Sequence, residues 1–234
     1  MRELGTGESV QWEGRLGFLC GVTNAIDTHW SIRSILGERF LQLRMPESAR
    51  RRLSQAALET AGNEPRVRTD RREAVRAFLD GLDLAAPVSL DPGTVIPLAD
   101  FATHCRTGVD RDGYSREIVE LPALEVPARF AKALDALGKA LVLMGHPDTV
   151  GVLRRVAIDS IPPRRAAVMY WLLVNPDATS AQVSDGVGLP TKPCKETLDD
   201  LKALRLAFRS GSGSGTRWRL SEHAESLMYE VDAL

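Results

Sequence analysis

The sequence has no run of the form G-x-x-x-x-G-K-S/T, so it offers no loop of backbone amides and lysine to cradle the phosphates of a nucleoside triphosphate. Gly138 and Lys139 come closest, but they fall inside a helical pattern and are followed by alanine; Gly5, Thr6 and Gly7 have no lysine beyond them. No C-x-x-C occurs, and the cysteines Cys20, Cys105 and Cys194 lie far apart. That excludes a disulfide framework and fits a reducing compartment. Histidines 29, 104, 146 and 223 are scattered, so no metal site is expected. There is no signal-peptide core after Met1, and apolar runs such as 16–22 are far too short to span a bilayer, so a cytoplasmic protein without a membrane partner is expected. Lysine is scarce, at 132, 139, 192, 195 and 202 only, and the net charge is −1. Any attraction for nucleic acid must therefore be local.

What remains is ordinary globular material: 234 residues, 44% hydrophobic and 26% charged. Three regions separate by pattern, at 1–45, 46–158 and 159–234. The first reads as strand, helix, strand. Residues 15–22 form a short apolar run, 27–36 have a helical look ended by Gly37, and 39–45 alternate like a strand stopped by Pro46. The second reads as mostly helical. Ser48 is placed to cap a helix bearing Arg50, Arg51 and Arg52, and Asp70 to cap another with Val75, Phe78, Leu79 and Leu82 on one face. Residues 85–97 hold three prolines and a glycine and read as a loop. Pro127 opens a helix with Phe130, Leu134, Leu137 and Leu141 on one buried stripe, ended by Gly145 and Pro147.

The third region has its own capping signals. Ser160 caps a helix with Val168, Trp171 and Leu172 on its apolar face, and Asn175, Pro176 and Asp177 break it. Thr179 followed by Gln182 is a capping box. Gly188 permits a tight turn, after which Thr191 caps a third helix whose Cys194, Leu198, Leu201 and Leu204 are buried. Its opposite face carries Thr191, Lys192, Lys195, Glu196, Asp199 and Lys202. Two short strands follow, 206–209 and 217–220, around the glycine-serine stretch 210–215, with Trp218 and Leu220 on one face and Arg217 and Arg219 on the other. Gly211 to Gly215 match a nucleophile elbow formally, but no apolar strand leads into them. Ser221 caps a last helix. From 160 to 221 nine basic residues face five acidic ones, a local excess within a near-neutral chain.

This third region resembles the winged helix-turn-helix domains of bacterial DNA-binding proteins. The resemblance rests on the helix order, the run TSAQVSDGVGLPTKPCKETLDDLKALRL and the glycine-rich hairpin ending in RWRLS. It implies double-stranded DNA as partner, with Thr191, Lys192 and Lys195 probing the major groove and Arg209, Arg217 and Arg219 on the phosphates. The same fold also serves as a protein-packing module, so an interaction adaptor is the rival reading.

The first two regions resemble the back half of an AAA-plus ATPase. GRLGFLCGVTNAID is similar to the strand ending in a polar sensor, at Asn24 or its neighbour Thr23. LGERFLQLRMP places Arg39 where the family carries an arginine for a neighbouring subunit's nucleotide, and Arg129 stands at the second-sensor position of a helical lid. The whole is similar to the C-terminal part of helicase- or primase-like ATPases of phages and mobile elements. The expectation is an α+β, mostly α chain: a partial AAA-plus core, a helical lid and a C-terminal winged helix. No catalytic residue is assigned, and without a phosphate loop the chain is not expected to bind and hydrolyse ATP alone; the rival reading is an ATPase subunit completed by another half. ATP and magnesium enter only with a missing N-terminal phosphate-loop half, which would be a partner alongside DNA or further copies of the chain.

Overall fold

In a computed structural model of the chain, the residues described are 13, 14, 17–23, 26, 27, 40–45 and 50–233. They are mostly helical, with one small two-stranded sheet. The helices are α1 (Arg50–Thr60), α2 (Glu64–Asp80), α3 (Pro92–Arg106), α4 (Ala128–Leu143), α5 (Thr149–Asp159), α6 (Pro163–Val174), α7 (Ser180–Val187), α8 (Thr191–Ala203) and α9 (Glu222–Asp232). The strands are β1 (Ala207–Ser210) and β2 (Arg217–Leu220). None of these helices is long and apolar enough to cross a membrane.

The helix that the prolines argue against is the most deeply buried. Much of 85–97, read as a loop, is the start of α3. The Asp91 side chain accepts from the Gly93 amide at 3.1 Å, and Pro92 occupies the first turn, where an amide would lack a partner anyway. Pro97 lies inside the helix, and the burial of Leu98, Phe101, Ala102 and Cys105 around it outweighs the missing hydrogen bond. Helix α3 packs on α4, α5 and α9, so residues before 159 and after 160 share one continuous core. The stripe expected on α4 is present: Phe130, Leu134 and Leu141 are buried and Leu137 packs against them. Gly138 belongs to that buried side, with Leu90 and Leu153 closing over the place a side chain would need, while Lys139 pairs with Asp135 at 2.7 Å.

His104 joins three elements at one point. Its Nε2 bonds the Leu204 carbonyl oxygen at 2.8 Å at the end of α8, and its Nδ1 faces Nε2 of His223 on α9 at 3.4 Å. Burial holds the ring below the ordinary imidazole value, the charge of His223 pushes the same way, and the Leu204 carbonyl and Asp100 act against them.

From α6 onward the chain runs helix, single bridging residue, helix, tight turn, helix, hairpin, helix. Ala178 bridges Trp218 through paired backbone bonds of 3.1 and 2.8 Å, so β2 is flanked on both sides. Trp218 is buried, and its indole donates to the Ser180 hydroxyl at 2.9 Å. The Thr179–Gln182 capping box forms as the sequence indicates, Gly188 sits at φ 70°, and Ser221 caps α9. Two caps differ. Ser160 is the last residue of the α5 terminus, its hydroxyl turned back to the Val156 carbonyl, and α6 starts at Pro163 without a side-chain cap. Thr191 is the first residue of α8 instead of its cap, because Pro190 already supplies the extended entry. The first strand starts one residue later than expected, at Ala207, since Arg205 takes a left-handed turn (φ 59°) off the helix.

The expected strands at 15–22 and 39–45 are not formed by the described residues 17–22 and 40–45, which carry no strand and leave Phe18, Leu19 and Val22 exposed. A strand needs a ladder partner, and the hairpin pairs only with itself and Ala178. Residues 40–45 instead dock on the end of α5: the Arg44 amide donates to the Asp159 carboxylate at 2.7 Å, and Arg155 donates to the Arg44 carbonyl. Ser48 and most of 27–36 lie outside the described residues. Asp70 is interior to α2, whose entry is Asn63, and Val75, Phe78 and Leu79 are exposed instead of buried.

Two outcomes follow from this packing. Helix α7 approaches α6 through Gly186, where an added Cβ would lie 2.1 Å from the Trp171 indole nitrogen. Overpacking of this kind costs about 1–3 kcal/mol against a gain of about 1 kcal/mol for alanine over glycine in a helix, so Gly186→Ala is expected to lower the thermal midpoint; a raised midpoint would refute the contact. Folded His104 takes up a proton less readily than it does in the unfolded chain. The stability it lends is therefore complete above about pH 6.5 and declines as pH falls below that value. Thermal midpoints of the native chain are expected to drop more between pH 8 and pH 5.5 than those of His104→Gln, which keeps a donor toward Leu204.

Candidate nucleic-acid interface

Helix α8 turns its residues in three directions, as 100° per residue requires. Cys194, Leu198 and Leu201 point into the core. Lys192, Lys195 and Lys202 are exposed on a stripe spaced by three and seven residues, with Asp199 between them. The third flank, Pro193, Glu196 and Asp200, is half-buried and faces Val109, Asp110, Arg111 and Arg116 across a small pocket. Glu196, which the sequence alone places among the outward residues, stands between that flank and the lysine stripe, lining the space on both sides.

Asp200 holds the flank together. One carboxylate oxygen accepts from Arg111 Nη2 at 2.6 Å and Nε at 2.9 Å, and the other accepts from Arg165 Nη2 at 3.2 Å. Arg165 lies on α6, is 5% exposed, and donates through Nη1 to the carbonyls of Cys105 and Thr107 at 3.0 and 2.6 Å. Burial pushes its guanidinium below the ordinary arginine value and Asp200 opposes the shift. Arg111 also donates to the Glu196 carbonyl at 2.8 Å, and Arg116 stands 3.5 Å from the Glu196 carboxylate. The segment that carries both arginines is itself a small hairpin. Arg111 bridges Ile118, the Asp112 amide donates to the Glu117 carbonyl at 2.9 Å, and Val119 donates to Asp110 at 3.1 Å. At its tip the Asp112 carboxylate accepts from the amides of Ser115 and Tyr114 at 2.6 and 2.9 Å, which hold it below the usual carboxylate range. At its base Arg106 lies 4.2 Å from the Phe130 ring centre and clamps Glu125 at 2.5 and 2.8 Å.

Between this strap and the lysine stripe runs a cleft of about 1000 Å³, with Lys192, Lys195, Lys202 and Arg205 on one wall and residues 115–121 on the other. The remaining cations stand elsewhere. On the β-hairpin, Arg217 and Arg219 share the exposed face with Phe208, their register partners being Ser210 and Phe208. Arg217 is within 3.5 Å of the Gln182 side chain and the Asp177 carbonyl, at the start of α7. Arg209 pairs with Trp218 and so lies on the opposite face, its guanidinium 6.0 Å from the Trp218 ring centre. The structure thus gathers Lys192 and Lys195 in one cleft and Arg217 with Arg219 on one hairpin face. Arg209 is separated from both pairs, and Thr191 is exposed at the head of α8. Among the described residues no ion pair engages Lys192, Lys195, Lys202, Arg217 or Arg219.

Arg129 is exposed in the first turn of α4; Asn24 and Arg39 lie outside the described residues. No group of three or more metal-ligating side chains is gathered among the described residues. Cys105 and Cys194 are buried, and burial pushes both thiols up. The strap and its arginines escape sequence reading, because 107–125 has neither a helical nor a long alternating period. No family model, curated protein or solved structure matches this chain.

Removing one partner from a buried ion network leaves the other charge uncompensated, at a cost of roughly 3–5 kcal/mol. Asp200→Ala strands Arg165 and releases Arg111, and is expected to fall near the lower end of that range, since two carbonyls still receive Arg165. Denaturant unfolding measures it, and a loss under about 1 kcal/mol would mean that Asp200 is not the anchor.

Proposed function

We propose that the chain binds double-stranded DNA, with residues 163–220 acting as a winged helix-turn-helix and α8 as the helix that enters the major groove. The observation that carries this reading is the exposed lysine stripe on α8, engaged in no ion pair among the described residues, set on the second helix of a pair joined at Gly188 and followed by a hairpin that exposes Arg217 and Arg219. A helix presented this way offers its first two turns to base edges, where Thr191, Lys192 and Lys195 stand. The hairpin arginines reach phosphates, which set orientation and strength of binding but not sequence preference. Arg209, on the Trp218 face, takes no part in that contact in this arrangement. The module is not free-standing in this reading: α3 supplies part of its core and the strap part of its surface.

The test is a titration of duplex DNA across salt. Affinity is expected to fall steeply between about 50 and about 200 mM salt, since phosphate contacts release counterions. Lys192→Ala/Lys195→Ala is expected to weaken binding by roughly tenfold or more at the lower salt and to reduce the slope of log affinity against log salt by about two. An unchanged slope and affinity in the double variant overturns the role of α8. Binding that ignores salt points to a protein partner instead.

A further inference from the structure

Resting on the reading of α8 as a major-groove helix, we infer that the strap at 110–121 is a second wall of the DNA-binding groove, with Tyr114 touching the sugar-phosphate backbone and Glu117 and Glu120 holding affinity down. The argument is one of widths. The major groove is about 12 Å wide and a helix with its side chains about 10–12 Å across, so the helix fills it. Anything fixed against the flank of that helix must meet the phosphates at the groove's rim. The strap is fixed there: Arg111 bonds Asp200 and the Glu196 carbonyl, and Arg116 faces the Glu196 carboxylate. It is also tied internally. The Arg111–Ile118 bridge, the two cross-hairpin backbone bonds and the Asp112 side chain hold its tip together, with Arg116 in the left-handed region at φ 62°.

What the strap offers at the rim is of two kinds. Tyr114 at the tip is 98% exposed, an aromatic ring with a hydroxyl donor held out on an ordered turn with no packing role in this chain. Exposed to that degree the ring adds little to the fold, and with only two side-chain torsions to order it presents a donor to a sugar or phosphate at modest entropic cost. Behind the tip, Glu117 and Glu120 line the cleft opposite Lys192, Lys195 and Lys202, none of them in an ion pair among the described residues. Two carboxylates on the wall of a groove that receives a polyanion repel it, so the strap sets binding below what the lysines alone would give. A binder limited in this way depends more on its base contacts for retention, which raises the ratio of specific to non-specific affinity.

The test compares the native chain, Tyr114→Ala, Glu117→Gln/Glu120→Gln and Lys192→Ala/Lys195→Ala, using fluorescence anisotropy with a labelled mixed-sequence duplex at two salt concentrations. Thermal melts confirm folding, which the exposed position of Tyr114 makes safe. Tyr114→Ala is expected to weaken binding by roughly three- to tenfold. The glutamine pair is expected to tighten it by roughly two- to fivefold, more at low salt than at high. Both shifts are required. If the native chain and the lysine variant behave as a DNA binder should while either strap variant leaves affinity unmoved, or the glutamine pair weakens it, the strap stands clear of the duplex and this inference alone falls. If the native chain shows no salt-dependent binding, the reading of α8 falls first and takes the strap with it.

Discussion

Asp200 accepts from two arginines that come from different parts of the chain, and the arrangement of the surface depends on that pair of charged hydrogen-bond contacts. Arg165 reaches it from α6 and Arg111 from the strap, so one carboxylate ties α8 to the helix beneath it and to the segment beside it. Arg165 is itself held by two carbonyls at the end of α3, which extends the tie into the central helix. A buried guanidinium with this many acceptors is costly to desolvate and costly to strand, so the cluster acts mainly as a fixer of geometry. Without it the hydrophobic core would still bury Leu198 and Leu201, and the strap would keep only the Arg111 bond to the Glu196 carbonyl and the Arg116–Glu196 pair to place it along α8.

That constraint explains why the chain does not divide at 159 in the way its patterns suggest. The capping signals after Ser160 are real, and the elements they announce form almost where the sequence puts them: the Thr179–Gln182 box, the Gly188 turn, the alternation of Arg217, Trp218, Arg219 and Leu220. Each depends on contacts within a few residues or on strict periodicity, which sequence reading detects. What joins the two sides is long-range and aperiodic. His104 meets Leu204 across 100 residues and Arg111 meets Asp200 across 89, and neither pairing leaves a local trace. Helix α3 was hidden for a related reason. Proline density argues for a loop, yet Asp91 and Pro92 are a correct helix start, and only tertiary burial reveals which argument prevails.

The two strand expectations at 15–22 and 39–45 fail over the described residues, on the same physics in reverse. An apolar run such as 17–22 looks like a buried strand because burial is its usual fate, but a strand also requires a neighbour to accept and donate its backbone bonds. Among the described residues no such neighbour is present, and Phe18 stays exposed, its ring 6.3 Å from that of Phe40 between centres. The apolar edge of α2 is a parallel case: Val75, Phe78 and Leu79 fall on one helical face as the period requires, but the period says which face would be buried and not whether anything arrives to bury it.

Charge counting along residues 160–221 gives a basic excess, and folding leaves its size nearly intact while changing its position. Arg165 and Asp200 leave the surface together, so their withdrawal cancels. Glu196 is faced by Arg116, which comes from outside the counted stretch and removes an acid from the free surface. The outcome is that Lys192, Lys195 and Lys202 share their cleft with Asp199 and the paired Glu196 of their own helix, and the countercharge across it is carried by Glu117 and Glu120, which no count restricted to the C-terminal residues includes. Net charge states how strongly a module is drawn to a polyanion from a distance; the placement of each carboxylate decides what happens within one Debye length, about 8–10 Å, where a phosphate meets lysine and glutamate at once. Under the proposed DNA-binding reading, a near-neutral chain has two ways to be selective: to concentrate its cations on one helix, and to set fixed anions beside them so that electrostatic attraction alone does not hold the ligand.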